Sequence, residues 1–440
     1  MTEVLRELPA GRRVGARVAE RAAIRALGRI QHGALELRLP SGHVHRAGTG
    51  APIVVTVTSN DLFRRIARSP GLGFGESYAA GDWHTDDLPG LIALVVRNLE
   101  SWRATSRLAR LDRHRPHVSR RQGLRKAQEN IQYHYDLGND LYRLFLDESM
   151  TYSCALWQEG DTLEQAQERK LRAICEKLRL RPGDRVLEIG CGWGSFALMA
   201  AGEYGARVTG VTLSQQQLEL ARERVATAGL ADRVEIRLQD YRTLEGQFSK
   251  IASIEMLEAV GYAQYPTFFA ACDRLLAPRG LAAIQVIGMP DQRFERYRRK
   301  EDWIQRYIFP GSLLPSLEAL QTAMSRASGL MVVGLDEIGP HYADTLKAWR
   351  ERFFESLPKV RALGFDDRFV RIWEFYLASC EALFRTRAIR DMQLVLGRPF
   401  EEPRMTCTAP SCSRERRCSV EGVVYPTLKT AFLLVLPSDE

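Results

Sequence analysis

The chain has 440 residues, 45% hydrophobic and 26% charged, a composition that buries a sizeable core and suits two or three domains. Its formal net charge of +8 favours an anionic partner, either a nucleic acid or a membrane surface. Apolar runs such as 91–96, 196–201 and 431–436 stop at six residues, which excludes a bilayer-spanning helix of roughly 20 and leaves only peripheral membrane contact.

In chain order, the N-terminus is Arg-rich (Arg6, Arg12, Arg13, Arg17, Arg21) but interleaved with Glu3, Glu7 and Glu20 and without an apolar signal core, so export is not expected. Residues 1–125 read as a mixed auxiliary domain. Strand-like stretches lie at 35–39 and 53–57 and helical ones at 61–68 and 88–99. An Arg- and His-rich stretch, 103–126, follows as a solvated linker or basic helix. From 126 to 398 strand and helix signals alternate, the pattern of a parallel sheet covered on both faces. The predicted strands are 185–189, 207–212, 234–238, 251–256 and 281–287, and the predicted helices 195–204, 215–228 and 266–276. Past Phe294 the chain turns helical and aromatic; Trp303, Tyr307, Trp349, Phe353, Phe354, Trp373, Phe375 and Tyr376 read as core. The segment 399–440 loses periodicity and is expected to be a disordered tail. Of eight cysteines no two have C-x-x-C spacing, and Cys407, Cys412 and Cys418 in the tail match no metal pattern. Neither metal nor disulfides are expected, and a reducing cytoplasm fits.

The chemistry begins at Val186-Leu-Glu-Ile-Gly190-Cys-Gly192-Trp-Gly194-Ser195, an apolar strand, a glycine turn and a helix start. Alternating glycines let the backbone approach a ligand with no Cβ in the way, and the helix offers free N–H groups to an anion. A dinucleotide site prefers G-x-G-x-x-G, whereas Ser195 makes the spacing here G-x-G-x-G. That tighter spacing resembles the methionine-carboxylate loop of class I methyltransferases. The expected fold class is therefore α/β, a Rossmann-like doubly wound sheet binding S-adenosyl-L-methionine. Candidate cofactor contacts are Glu188, Gly190, Cys191, Gly192, Trp193, Gly194, Thr212, Leu213 and Ser214. The second strand ends in Thr212 where the class usually has an acid for the ribose hydroxyls. Gln217, one turn into the next helix, could donate and accept there instead, or simply face solvent. Asp240 and Tyr241 stand where an adenine-edge contact is expected.

Longer motifs add a second layer. Tyr133-His-Tyr-Asp-Leu-Gly-Asn-Asp140 and Phe145-Leu-Asp-Glu-Ser-Met-Thr-Tyr-Ser-Cys154 resemble the lid and cofactor-contact segment of cyclopropane fatty acid synthases, which brings in Tyr152 and Ser153. The similarity continues through 187–194, 212–217, 239–242, Met256-Leu-Glu258-Ala-Val-Gly261, Tyr307-Ile-Phe-Pro-Gly311, Gly339-Pro-His-Tyr342-Ala-Asp-Thr-Leu and Phe375-Tyr-Leu-Ala-Ser-Cys380. Gly75-Glu-Ser-Tyr-Ala-Ala-Gly-Asp-Trp83 is similar to the auxiliary domain of the full-length lipid enzymes.

The resemblance implies methylene transfer to the cis double bond of an unsaturated phospholipid acyl chain. An alkene is a feeble nucleophile, so the methyl donor must be held in line with it. The carbocation that follows needs a dry pocket, is stabilised by aromatic faces, and must lose a proton for the ring to close. The resemblance assigns that proton to a bound bicarbonate held by Glu258, Tyr342, Cys154, Gln285 and the backbone near Ile287; Cys380 is a further candidate or a core thiol. Gln285 and Ala259 replace residues that are often His in the family. Both features recur in a branch that includes enzymes making methyl- or methylene-branched chains, so either product is open. The implied setting is the cytoplasmic face of a membrane, bound peripherally, with no nucleic acid and with a homodimer left open. A basic–aromatic stretch, Arg293, Phe294, Arg296, Tyr297, Arg298, Arg299 and Lys300, is a candidate head-group contact. Competing readings are a methyltransferase for a soluble small molecule and a non-enzymatic lipid-binding protein.

Overall fold

The computed structural model describes residues 16–105 and 137–399. Most of the basic stretch 103–126, the start of the lid motif at Tyr133, and the tail with its three cysteines lie outside the described residues. Two sheets organise the rest, and they belong to one compact unit. Among the described residues no helix is long and apolar enough to cross a membrane.

The smaller sheet has the order β2-β1-β3-β4, with β1 Ala34–Arg38, β2 Val44–Gly48, β3 Pro52–Val57 and β4 Trp83–His84. It carries the helices Ala16–Leu27, Asp61–Arg68, Pro70–Ala79 and Leu88–Thr105. The Gly75–Trp83 motif seats this part on the larger one. A Cβ at Gly75 would lie 2.5 Å from Trp303 Nε1 and 2.7 Å from Phe375, so only glycine lets those rings close on the helix. Glu76 Oε1 accepts from the Tyr307 hydroxyl at 2.8 Å, and the Tyr78 hydroxyl donates to Glu374 at 2.5 Å. One hydrophobic cluster therefore runs from Leu35 through Trp83 to Trp303 and Trp373.

The larger sheet has seven strands: β5 Arg185–Ile189, β6 Arg207–Thr212, β7 Val234–Leu238, β8 Phe248–Ile254, β9 Leu276–Gly288, β10 Met331–Glu337 and β11 Arg390–Gly397, in the order β10-β11-β9-β8-β5-β6-β7. The five strands β5 to β9 pair in parallel, and β11 runs antiparallel between β9 and β10. Separate clusters on the two faces bury the helices Leu163–Lys177, Ser195–Gly202 and Gln215–Thr227 on one side and Tyr265–Leu275 and Leu317–Ala327 on the other. The chain order reverses at β5, between β6 and β8, and such a switch point opens a crevice at the carboxyl ends of the strands.

The first three strands of this sheet start and end where the sequence pattern puts them. β8 and β9 begin earlier than expected, and β10 and β11 were not expected at all. β11 hides from a period-2 reading because Asp391 and Gln393, 0% and 1% exposed, occupy core positions. Its partner β10 is an edge strand with a mostly exposed pattern. The eight aromatics beyond Phe294 are packed as expected, with Trp349 and Phe353 fully buried.

Candidate active site

Gly190, Gly192 and Gly194 have φ of +81°, +52° and +85°, a region that L side chains rarely adopt. A Cβ on Gly190 would lie 2.6 Å from Met256 Cγ, so the loop can pass the end of β8 only as glycine. The N–H groups of Gly190 and Cys191 both donate to Val211 O at 3.0 Å, which pins the loop to β6. The Ser195–Gly202 helix starts immediately after it, and the Ser195 hydroxyl donates to Ser149 O in the lid segment. Trp193, 2% exposed, donates from Nε1 to Asn139 Oδ1 at 2.8 Å, a second tie from the loop to the lid.

A pocket opens above this loop, lined by Tyr152, Ser153, Glu188, Gly190, Cys191, Gly192, Trp193, Thr212, Leu213, Gln217, Asp240 and Tyr241 among others. Two further candidates support it from behind. Gly194 supplies the left-handed turn, and the Ser214 hydroxyl caps the Gln215–Thr227 helix by accepting from Gln217 N. Gln217 is 5% exposed and lines the pocket, not the solvent side. Its Oε1 accepts from Thr212 Oγ1 at 2.7 Å, leaving its NH2 as the end able to meet a ligand hydroxyl. Asp240 is less available than expected, because Arg242 forks onto both of its oxygens at 2.8 and 2.7 Å. Glu188 is 3% exposed and its Oε2 has no partner. Burial pushes its pKa well up, partly offset by the Lys170 ammonium. An orphaned buried carboxylate oxygen beside a glycine cradle fits the ammonium group of a bound amino acid, as S-adenosylmethionine would supply.

Beyond the cradle the pocket wall continues into the end of β8 at Glu255, Met256, Ala259 and Val260. Here the arrangement departs from the one implied by resemblance. Cys154 N and Gln285 Nε2 both donate to Glu255 Oε1 at 2.8 Å, and the Tyr342 hydroxyl donates to Glu255 Oε2 at 2.6 Å. Glu258, 8% exposed, sits apart on a turn of 3-10 helix. Its Oε1 accepts from Ile287 N at 2.5 Å and its Oε2 has no partner. Burial and then the neighbouring Glu255 charge push the Glu258 pKa up to about 8. Asp391 faces Glu255 from β11, directly across from Ile287, and burial, then the Glu255 and Glu258 charges, push its pKa well up. Burial raises Glu255 too, opposed by its hydrogen bonds from Tyr342, Cys154 N and Gln285 and by Lys170. Lys170, fully buried, donates to Ser153 Oγ at 2.6 Å. Burial pulls its pKa down and the surrounding acids pull it back up.

Bicarbonate does not fit this site. The donors meant for it already serve Glu255, and Ile287 N serves Glu258. A second anion would lie against the Glu255 carboxylate, with Lys170 as the cation placed among these groups, a costly placement in a desolvated site. Cys154 is 0% exposed and burial raises its thiol well above the usual range, so it contributes its backbone N–H and no thiolate. Cys380 packs in the aromatic core, away from the pocket lining, its thiol also raised by burial. Sequence reasoning passed over Glu255, Lys170, Asp391 and Gln393. Glu255 lies one residue before the Met256–Gly261 motif, and an acid closing an apolar strand was the available signal.

The lid side of the pocket is aromatic. Tyr152 packs on Tyr142 and Trp349 at 5.3 and 5.1 Å, and its hydroxyl shares a 2.8 Å hydrogen bond with Tyr376. The expected head-group patch looks different. Phe294 is 4% exposed, Arg298 lies over Tyr262 and pairs with Glu295, and Arg299 pairs with Glu295 as well. Its aromatic members point inward, so the stretch is no basic–aromatic surface.

A switch-point crevice, a three-glycine cradle and an orphaned carboxylate behind it define a class I methyltransferase that uses S-adenosylmethionine. Residues 122–394 match the family described as mycolic acid cyclopropane synthetase, and the chain belongs to that family. It is 43% identical over 382 residues to the tuberculostearic acid methyltransferase UfaA1 of Mycobacterium tuberculosis, covering 83% of this chain and 85% of that protein. It is 39% identical over 374 residues to the cyclopropane-fatty-acyl-phospholipid synthase of Escherichia coli, covering 83% and 94%. Among solved structures, the cyclopropane synthase MmaA2 from Mycobacterium tuberculosis is 31% identical with a TM-score of 0.57, covering 61% of this chain and 97% of that one. The mycolic acid cyclopropane synthase CmaA1, complexed with SAH and CTAB, gives the same identity, score and coverage.

Proposed function

We propose that this enzyme alkylates the cis double bond of unsaturated phospholipid acyl chains, forming cyclopropane fatty acids. The observation that carries the reading is one continuous pocket wall that runs from the glycine cradle to the carboxylate at the end of β8, under an aromatic lid. S-adenosylmethionine, when bound, supplies an electrophilic sulfonium methyl. Gly190 to Gly194 and Glu188 hold its amino-acid end, and Gln217 meets a hydroxyl of its sugar. Tyr152, backed by Tyr142 and Trp349, excludes water and presents a ring face that stabilises the cationic intermediate. A carboxylate group within the site then takes the proton.

A second reading, a methyl- or methylene-branched product on the same lipid, is favoured by Gln285 and Ala259 at positions often His, and by the identity to a tuberculostearic acid methyltransferase. Both readings place the enzyme peripherally on the cytoplasmic face of a membrane. Incubation with unsaturated phospholipid vesicles and methyl-labelled cofactor, followed by acyl-chain mass spectrometry, tests them. One labelled CH2 per chain is expected, and proton NMR separates ring protons from an exocyclic methylene. Label that never enters the acyl chain removes both readings.

A further inference from the structure

The oxygens of Glu255 collect the donors of the site. Cys154 N and Gln285 Nε2 reach one oxygen at 2.8 Å each, and the Tyr342 hydroxyl reaches the other at 2.6 Å. The orientation of the Gln285 amide is set across the β9–β11 pairing, where its Oε1 accepts from Gln393 Nε2 at 2.9 Å. The backbone at 255 is held as firmly, with its N–H donating to Gln285 O at 2.8 Å. Glu255 has φ of +49°, a conformation disfavoured for any residue with a Cβ. Such strain persists where the surrounding structure demands it, and it concentrates at functional sites. The side chain so placed lines the cofactor pocket, on the same wall as Gly190 and Glu188.

We propose that the Glu255 carboxylate is the proton acceptor of the reaction, occupying the position a bound bicarbonate would fill, so that turnover needs no bicarbonate. The inference rests on the lipid-alkylation reading above. In the step, the alkene π pair forms a bond to the methyl carbon while the S–CH3 pair returns to sulfur, leaving a thioether and a carbocation. A C–H pair of the new methyl group then closes onto the cationic carbon, and its proton passes to Glu255. The carboxylate becomes a neutral acid and no net charge is stranded in the site. Solvent takes the proton when the product leaves and water re-enters the pocket. Tyr342, Gln285 and Gln393 act as positioning residues that aim the carboxylate.

The test compares wild type, Glu255→Gln and Glu255→Gly in bicarbonate-stripped buffer with and without added bicarbonate. Glycine suits the left-handed backbone at 255, so that variant should fold while opening a gap the size of a carboxylate. Wild-type turnover should change less than about 2-fold on stripping, and Glu255→Gln should lose about 100-fold or more in kcat with cofactor affinity retained. Glu255→Gly should be inactive in stripped buffer and regain activity with bicarbonate. A carbon-13 NMR titration with labelled bicarbonate should show binding to Glu255→Gly and none to wild type. Wild type that requires bicarbonate, Glu255→Gln that keeps its rate, or Glu255→Gly that neither binds bicarbonate nor recovers would each overturn the assignment. Wild type inactive on lipid in every buffer sinks the lipid reading instead.

Discussion

A carboxyl taken out of water with a single donor must find its stability elsewhere, and Glu258 shows the consequence. Its Oε1 accepts from Ile287 N, its second oxygen is unsatisfied among the described residues, and its pKa is pushed up to about 8, first by burial and then by Glu255. A glutamate in the unfolded chain titrates near 4.3. The folded state therefore keeps a proton that the unfolded state gives up. The stability tied to that proton is fully present below the unfolded value and is lost as pH rises through about 8. Glu258→Gln removes the dependence. Between about pH 5 and about pH 9 the wild type should lose stability relative to this variant, by an amount on the order of a few kcal/mol. Urea unfolding at the two pH values reads it, and parallel curves would show that Glu258 does not carry the proton. The same variant should bind S-adenosylmethionine with wild-type affinity, because Glu258 does not line the cofactor pocket.

At the scale of elements, the glycine loop and the lid segment hold each other through Trp193–Asn139 and Ser195–Ser149. Gly190→Ala attacks that junction twice, by demanding a positive φ from an L residue and by driving a Cβ to 2.6 Å from Met256. A loss of about 1–3 kcal/mol in stability is expected from the backbone alone, together with loss of cofactor binding by calorimetry. Cofactor affinity equal to wild type would mean that the loop relaxes without cost. The same elements explain what the sequence disclosed. β5, β6 and β7 are short, carry apolar residues at their buried positions and are closed by turn residues, so their limits and the cradle that follows β5 were legible. β11 was not, because Asp391 and Gln393 break its apolar face. Local pattern fails where the site has replaced core residues with polar ones. Glu255 was overlooked for a related reason. Its role depends on Cys154, Gln285 and Tyr342 meeting from three distant segments, and spacing along the chain carries no trace of that convergence.

For the whole molecule, the proposed acyl-chain substrate would have to be reached by a protein without a spanning helix among its described residues. Net charge +8 favours an anionic surface, at about 1 kcal/mol per basic residue close to the membrane. The stretch around Phe294 had offered a mixed contact, arginines for head groups and rings for the acyl boundary. In the fold Phe294 packs at 4% exposure against Tyr262, and Glu295 takes up Arg298 and Arg299. Insertion of these rings into lipid would require unpacking them from the core. Association with vesicles should then be electrostatic, weakening steeply between about 50 mM and about 500 mM salt as the screening length shrinks. Phe294→Ala separates the two pictures. A buried ring removed from a packed site costs about 3–5 kcal/mol of stability, so the melting temperature should drop while vesicle affinity, measured on folded protein at low salt, stays at the wild-type value. A variant that keeps its melting temperature but loses vesicle binding would put the ring in the membrane and not in the core.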